Sequence, residues 1–173
     1  MNNLAVRNVV RILLFVLAQV MVFKSIHLGT ANFNYISLIV YPVAIMLLPL
    51  DYPKIAVLLI AFVIGISVDM FYDSPGVHAA AAVFMAYLRP MFLKILAPET
   101  GYSKNVFPVA SSFGLIWYIQ YASYMLAAYL IIYFSIEAFT FVYIKEIILK
   151  SVFSFIASIA IIILHQILIN PRR

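Results

Sequence analysis

The chain has 173 residues, of which 66% are hydrophobic and only 10% are charged. Soluble domains carry roughly a quarter charged residues and about half apolar ones, so this composition predicts an integral membrane protein without a sizeable soluble domain. The net charge is +5, but the basic residues are scattered along the chain, which indicates membrane topology and not a nucleic-acid-binding surface. Because there is no cysteine, disulfides, thiolate metal sites and cysteine catalysis are excluded.

Six apolar stretches have lengths close to or above the roughly 20 residues that a helix needs to cross a bilayer. The helices of this single transmembrane domain are predicted at about 9–28, 35–50, 54–72, 76–96, 112–134 and 147–169. The first begins like a signal peptide but lacks a convincing small-residue cleavage site, so we expect it to be retained. The second is short and contains Pro42 and Pro49, so it is expected to be tilted, kinked or only partly inserted.

The distribution of lysine and arginine predicts the orientation of these helices. Eight basic residues fall on the side of the N-terminus and three on the other side, which favours both termini in the cytoplasm and requires an even number of spans. The cytoplasmic set is Arg7, Arg11, Lys54, Arg89, Lys94, Lys104, Arg172 and Arg173, and the outer set is Lys24, Lys145 and Lys150. The connection 134–146 then faces outward, and its aromatic residues indicate either an interfacial belt or a docking surface for another membrane protein.

Polar residues interrupt the third predicted helix. Asp69 comes fifteen residues after Lys54, which at 1.5 Å per residue places it about 22 Å into a core about 30 Å thick, toward the outer side. A carboxylate at that depth should face protein or water. Gly65, Asp69 and Asp73 are spaced four apart, so they are predicted to share a helix face that lets another helix approach closely and offers it acceptors.

The turn after this helix is predicted to start the next one. Ser74 is the expected N-cap and Pro75 the expected first helical residue, which would place His78 in the first turn, near the two aspartates. Arg89, further along, is expected to extend to the cytoplasmic surface. Three interpretations of the cluster of acids and His78 stay open: a hydrogen-bond network within a helix hairpin, a surface that recognises a partner protein, and a site for a small solute or a proton relay.

Other polar and aromatic residues within the helices are interpreted as packing or interhelical hydrogen-bonding groups. They are Gln19, Trp117, Gln120, Tyr121, Tyr124, Ser151, Ser154 and Ser158. No zinc-protease motif, plausible Ser-His-Asp set or phosphate-binding glycine loop is found. We therefore predict no catalytic residue, no metal site and no cofactor, and we do not expect an enzyme.

The stretch 61–90, AFVIGISVDMFYDSPGVHAAAAVFMAYLRP, resembles the family of the bacterial rod shape-determining protein MreD. In that family a Gly-x-x-x-Asp pattern ends one helix, a short polar turn follows, and a glycine with a run of small residues opens the next helix. The matching positions are Gly65, Asp69, Gly76, His78, 79–82 and 87–90. The turn between Asp69 and Gly76 is shorter and poorer in glycine than the commonest form in the family.

The resemblance implies a non-enzymatic, multi-pass protein of the bacterial inner membrane that takes part in lateral peptidoglycan synthesis. MreD proteins pair with MreC, connect it to MreB filaments and work alongside RodA and its transpeptidase; self-association is a further expectation. Their fold is similar to that of the substrate-binding subunits of energy-coupling-factor transporters. We therefore expect a scaffold that binds MreC, and the alternative is a vitamin-type solute-binding subunit of a transporter. The residues expected to form the interaction surface are Gly65, Asp69, Asp73, Gly76, His78 and Arg89.

Overall fold

The computed structural model describes residues 2–25, 28–30, 33–99, 101–103, 106–139 and 144–169. As predicted, the described chain is predominantly helical, with one short antiparallel β-hairpin near the N-terminal helix. The elements in chain order are α1 (Asn2–Met21), a 3-10 turn (Phe23–Ser25), β1 (Leu28–Thr30), β2 (Phe33–Ile36), α2 (Val43–Met46), α3 (Lys54–Tyr72), α4 (Val77–Ile95), α5 (Ala110–Phe113), α6 (Leu115–Ala138) and α7 (Ile144–Ile169).

Three of the described helices, α3, α6 and α7, are long and apolar enough to cross a membrane, as expected for a membrane protein. Helix α3 illustrates why this sequence suits a bilayer. Its exposed side chains are large and apolar, including Leu59, Phe62 and Met70, whereas its buried face carries the small residues Ala61 and Gly65. Apolar groups outside and small groups inside are the pattern of a helix that faces lipid on one side and packs closely on the other.

The prediction of a helix over 35–50 is wrong. Residues 33–36 form strand β2, residues 37–40 have no regular secondary structure, and helix α2 is a single turn between Pro42 and Leu47. Every residue from 38 to 49, hereafter the buried segment, is shielded from the surface. Pro42 and Pro49 have no peptide N–H to donate. The N–H groups from Val43 to Leu48 bond oxygens within the segment itself, whereas backbone groups at its two ends bond side chains of neighbouring helices.

The buried segment runs through the bundle alongside α4. Near its start, the Tyr41 hydroxyl lies 3.3 Å from the backbone oxygen of His78 in the first turn of α4. Near its end, the Leu48 oxygen accepts a hydrogen bond from Arg89, close to the other end of α4. His78 and Arg89 are eleven residues apart along α4, which corresponds to about 16 Å of helix. Inside a bilayer, a non-helical stretch of chain is tolerated only where protein surrounds it. The buried segment is surrounded in this way.

Helices α3 and α4 pack unusually closely at Gly65. A Cβ atom added to Gly65 would lie 2.8 Å from the nitrogen of Ala79 and 3.0 Å from the oxygen of His78, and closer still to the Ala79 Cα. The predicted small-residue contact between the third and fourth helices is therefore present. Only glycine fits this position without moving one backbone away from the other.

Some predicted features fall on residues that are not described. Lys104, Arg172 and Arg173, which contribute to the predicted orientation, lie outside the described residues, and so do Phe141 and Tyr143 of the predicted outer connection. The connection itself is shorter than 134–146, because α6 continues to Ala138 and α7 begins at Ile144.

Candidate functional site

The carboxylate of Asp69, in the last turns of α3, caps the start of α4. It is 3% exposed and accepts hydrogen bonds from the peptide N–H groups of Gly76 at 3.1 Å, His78 at 2.9 Å and Ala79 at 3.0 Å. The Ser74 hydroxyl donates a fourth hydrogen bond at 3.1 Å. The first N–H groups of a helix have no partner within the helix, and a negative charge beside them also interacts favourably with the helix dipole. Asp69 thereby joins the end of one helix to the beginning of the next.

The predicted helix start at Ser74 and Pro75 is wrong in detail. Helix α4 begins at Val77, and its N-cap is Gly76 with φ of 86°. Ser74 uses its hydroxyl to contact Asp69 instead of capping the helix. A Cβ on Gly76 would meet no neighbouring atom, so glycine suits this position because of its left-handed backbone and not because of close packing.

Asp73 does not share the buried face of Gly65 and Asp69, contrary to the prediction from their spacing. It is the C-cap of α3, adopts a left-handed backbone with φ of 53° and is exposed. The helical spacing that places residues four apart on one face stops applying where the helix ends. Aspartate is one of the non-glycine residues that tolerate this backbone region best, so Asp73 is explained by the turn alone.

His78 reaches the cluster through its backbone as well as its ring. Its peptide N–H bonds Asp69, whereas its ring Nδ1 lies 2.6 Å from the hydroxyl of Tyr129 on α6. Tyr41 of the buried segment donates to the same Tyr129 hydroxyl at 2.9 Å. Tyr72 and Tyr133 also contact the imidazole, with ring centroids at 4.8 Å and 4.7 Å. Ring nitrogen Nε2 is buried and has no hydrogen-bond partner among the described residues.

Arg89 does not extend to the surface as predicted; it is 3% exposed. Its Nη2 donates to the backbone oxygens of Leu48 at 2.5 Å and Pro49 at 3.3 Å, and its Nε donates to the Tyr121 hydroxyl at 3.0 Å. Tyr121 in turn donates to the Met46 oxygen at 3.1 Å. Backbone oxygens at the end of the buried segment have no helical partner, and a guanidinium with its several donors can satisfy them together.

The start of the buried segment is held in the same way by side chains from α1 and α7. Gln19 donates to the Leu38 oxygen at 2.9 Å and accepts from the Val40 nitrogen at 2.8 Å. The hydroxyl of Ser158 accepts from the Ile39 nitrogen at 2.9 Å. The hydroxyl of Ser154 accepts in the same way from the nitrogen of Ser37, also at 2.9 Å. Gln19 therefore forms the interhelical hydrogen bonds that were predicted for it. Ser154 and Ser158 of the predicted serine seam bond a neighbouring backbone, whereas the Ser151 hydroxyl has no partner among the described residues.

The aromatic stripe on α6 contributes to packing, as preferred from the sequence. Trp117 stacks on Tyr121 with ring centroids 5.3 Å apart, and Tyr124 stacks on Phe92 at 5.6 Å. Gln120 is exposed, so it does not bond across the interior of the bundle.

Sequence reasoning missed Tyr129 and Tyr133, the two tyrosines of α6 that contact His78. They follow Tyr121 at multiples of four along α6, and all three are buried. Tyrosines on one face of an apolar helix indicate polar partners inside the bundle, since a buried hydroxyl usually finds a hydrogen-bond partner. That spacing was the available signal for the ring cluster around His78.

A cavity of about 310 Å³ lies beside this cluster, where α3 ends and α4 begins. Its lining combines apolar side chains with three charged ones, Lys24, Glu137 and Lys150, and it includes His78, Tyr72 and Tyr133. A second depression of about 410 Å³, between α6 and α7, is lined almost entirely by apolar side chains.

The site therefore consists of the Asp69 cap and the His78 ring cluster, beside a cavity that has three charged side chains on its lining. Within the described residues no group of three or more histidine, aspartate and glutamate side chains is arranged to hold a metal ion. Comparisons with protein-family models, with curated proteins and with solved structures give no match to this chain, so its function is argued from the geometry of this site.

Proposed function

We propose that this chain is a multi-pass scaffold of the bacterial rod complex that binds MreC in the inner membrane and thereby helps to regulate lateral peptidoglycan synthesis and cell shape. One observation carries the proposal: the main polar side chains of the helices are bonded to the backbone of the chain itself. Asp69 holds α4, and Arg89 and Gln19 hold the buried segment. Groups engaged in this way fix a shape, which suits a protein that holds the membrane helix of a partner.

The proposal includes six membrane crossings with both termini in the cytoplasm. The five longest helices supply five crossings, and the buried segment, which runs past α4 from His78 to Arg89, supplies the sixth without being a helix. Arg89 is enclosed by the bundle and no longer counts as a surface charge. Seven basic residues against three still favour the same orientation. Fusions of a periplasm-active phosphatase to either terminus should be inactive, and activity at one terminus would refute the even number of crossings.

The test of the partner is co-purification of the chain with MreC from the same cell in a mild detergent. We expect MreC to be retained by the natural sequence and by the variant Asp73→Asn, because Asp73 is exposed at the end of α3. Asp69→Ala should retain less MreC, and cells that depend on it should become rounder, because α3 and α4 lose their connection. Equal amounts of the three chains in the membrane are the necessary control.

Two outcomes would count against the proposal in different ways. Absence of MreC from the purified natural chain would refute the scaffold function. Normal MreC retention and normal cell shape with Asp69→Ala would leave the partner in place but would restrict the Asp69 cluster to a role in folding. MreB, RodA and the transpeptidase are proposed as indirect partners only, reached through MreC.

A second candidate function is the solute-binding subunit of a membrane transporter, and the cavity beside His78 is the observation that favours it. Such a subunit should purify with an ATPase module and retain one small molecule per chain. Mass spectrometry of the same detergent preparation distinguishes the two functions, since the scaffold purifies with MreC and the transport subunit with the ATPase module.

A further inference from the structure

The cavity beside His78 has the features of a binding site. Its volume of about 310 Å³ is at the lower end of the range of small-molecule sites, roughly 300–1,000 Å³. It is a partly open cavity bordered by the start of the buried segment, the end of α3, the start of α4 and the adjoining ends of α6 and α7. Its lining residues are Phe23, Lys24, Ile36, Ser37, Leu38, Ile39, Tyr72, Ser74, Val77, His78, Tyr133, Glu137 and Lys150.

The ring of His78, which lines this cavity, has one nitrogen, Nε2, without a partner among the described residues. The Tyr41 hydroxyl has one proton and two acceptors in reach, the Tyr129 hydroxyl at 2.9 Å and the backbone oxygen of His78 at 3.3 Å. In the arrangement where Tyr41 donates to Tyr129 and Tyr129 donates to Nδ1 of His78, a neutral imidazole carries its own proton on Nε2. That nitrogen has no partner among the described residues, although His78 is completely buried. A buried N–H without a partner is costly, and a ligand in the cavity would satisfy it.

The charged side chains add a surplus of positive charge. Lys150 interacts electrostatically with Glu137 across the cavity wall, so these two charges largely offset each other. Lys24 has no such acidic partner on the lining; its ammonium donates to the backbone oxygen of Phe71 and lies 5.5 Å from the centre of the Tyr72 ring. An ammonium has three donors, so Lys24 keeps donors for a ligand after bonding Phe71.

We infer that this cavity binds a small group that carries anionic oxygens, a carboxylate or a phosphate, with Lys24 holding the charge, Lys150 neutralising Glu137 on the lining, and His78 Nε2 donating to the ligand. Charge-assisted hydrogen bonds of this kind are stronger than neutral ones. Two sources can supply such a group, the headgroup of an anionic lipid or a free solute. The inference rests on the cavity alone and is independent of whether the chain binds MreC.

The test uses the full chain in lipid nanodiscs and compares melting temperatures. Discs of phosphatidylcholine alone are compared with discs containing phosphatidylglycerol, and inorganic phosphate or succinate is added to the phosphatidylcholine discs at constant ionic strength. The variants are Lys24→Met and Lys150→Met. The matched control is Lys145→Met, because Lys145 is exposed on the same helix as Lys150 but does not line the cavity.

We expect the natural chain and Lys145→Met to be stabilised by at least one of these probes, and both cavity variants to lose most of that shift. Stabilisation by phosphatidylglycerol alone identifies a lipid headgroup, and stabilisation by phosphate or succinate identifies a free solute. Binding should also move the ¹⁵N resonance of His78, which is assigned by its loss in His78→Gln. If no probe shifts the melting temperature, or if all variants respond alike, the inference is wrong.

Discussion

Replacing Asp69 with alanine would remove the acceptor of four hydrogen bonds, three of them from the first peptide N–H groups of α4. His78 and Ala79 are buried, so their N–H groups cannot turn to water, whereas Gly76 and Ser74 are partly exposed. Each buried donor left without a partner costs about 1–3 kcal/mol. The lost interaction with the helix dipole adds roughly 0.3–1 kcal/mol.

The expected loss is therefore about 2–7 kcal/mol, on the scale of the usual total stability of roughly 5–15 kcal/mol. In a chain of this size each kcal/mol changes the melting temperature by about 2–4 °C. Asp69→Ala should consequently melt about 5–28 °C below the natural chain. Asp69→Asn should lie between the two, because one of its two polar atoms remains an acceptor.

The assay is loss of helical circular dichroism on heating, in detergent, with the variant Asp73→Asn as the matched control. Asp73 is exposed and left-handed, asparagine tolerates that backbone region, and surface substitutions usually change stability by less than about 0.5 kcal/mol. If Asp69→Ala melted within about 2 °C of Asp73→Asn, the four bonds would not hold α3 and α4 together, and the argument would fail.

The same melting assay tests three further positions. Gly65→Ala should destabilise the chain strongly, because its methyl group would lie 2.8 Å from the Ala79 nitrogen. Ser67→Ala, at a partly exposed position of the same helix, should have little effect. Ser158→Ala should lower stability by about 1–3 kcal/mol, since it leaves the Ile39 N–H without its acceptor; Ser158→Thr, which keeps a hydroxyl, should recover part of this loss. Arg89→Lys should also destabilise the chain, because one ammonium cannot reproduce the planar set of guanidinium donors. A melting temperature equal to that of the natural chain would show that the backbone oxygens of the buried segment do not need the guanidinium donors.

The α3–α4 hairpin could be predicted from the sequence because its determinants are local. Gly65 and Asp69 are four residues apart, and the groups that they meet, Gly76 to Ala79, follow within fourteen residues of Gly65. A glycine on a helix face permits close approach, and a carboxylate there requires donors. The position of Asp73 was not predictable in the same way, because the helical spacing gives no warning of where the helix ends.

The buried segment could not be derived because its partners are remote along the chain. The Ile39 nitrogen bonds Ser158, 119 residues away, and the Arg89 donors reach Leu48, 41 residues away. A serine within an apolar helix can belong to a packing seam or bond a remote backbone group, and an arginine can extend to the membrane surface or bond a buried oxygen. Sequence spacing does not distinguish these alternatives. The two prolines signalled only that a regular helix would be interrupted.

The buried polar groups of the chain are of two kinds: those whose hydrogen bonds hold the fold together, and those left without a partner that could bond a ligand. Asp69, Arg89, Gln19 and Ser158 are bonded to backbone that would otherwise be buried without partners, so substituting them should affect folding before any other property. His78 Nε2 differs, because it is buried without a partner in the described part of the chain and lies at a cavity with charged lining residues. Lys24 and Lys150 line the same cavity, and the backbone oxygen that Lys24 bonds belongs to the exposed residue Phe71. Replacing the cavity lysines is therefore expected to change ligand binding with little change in stability.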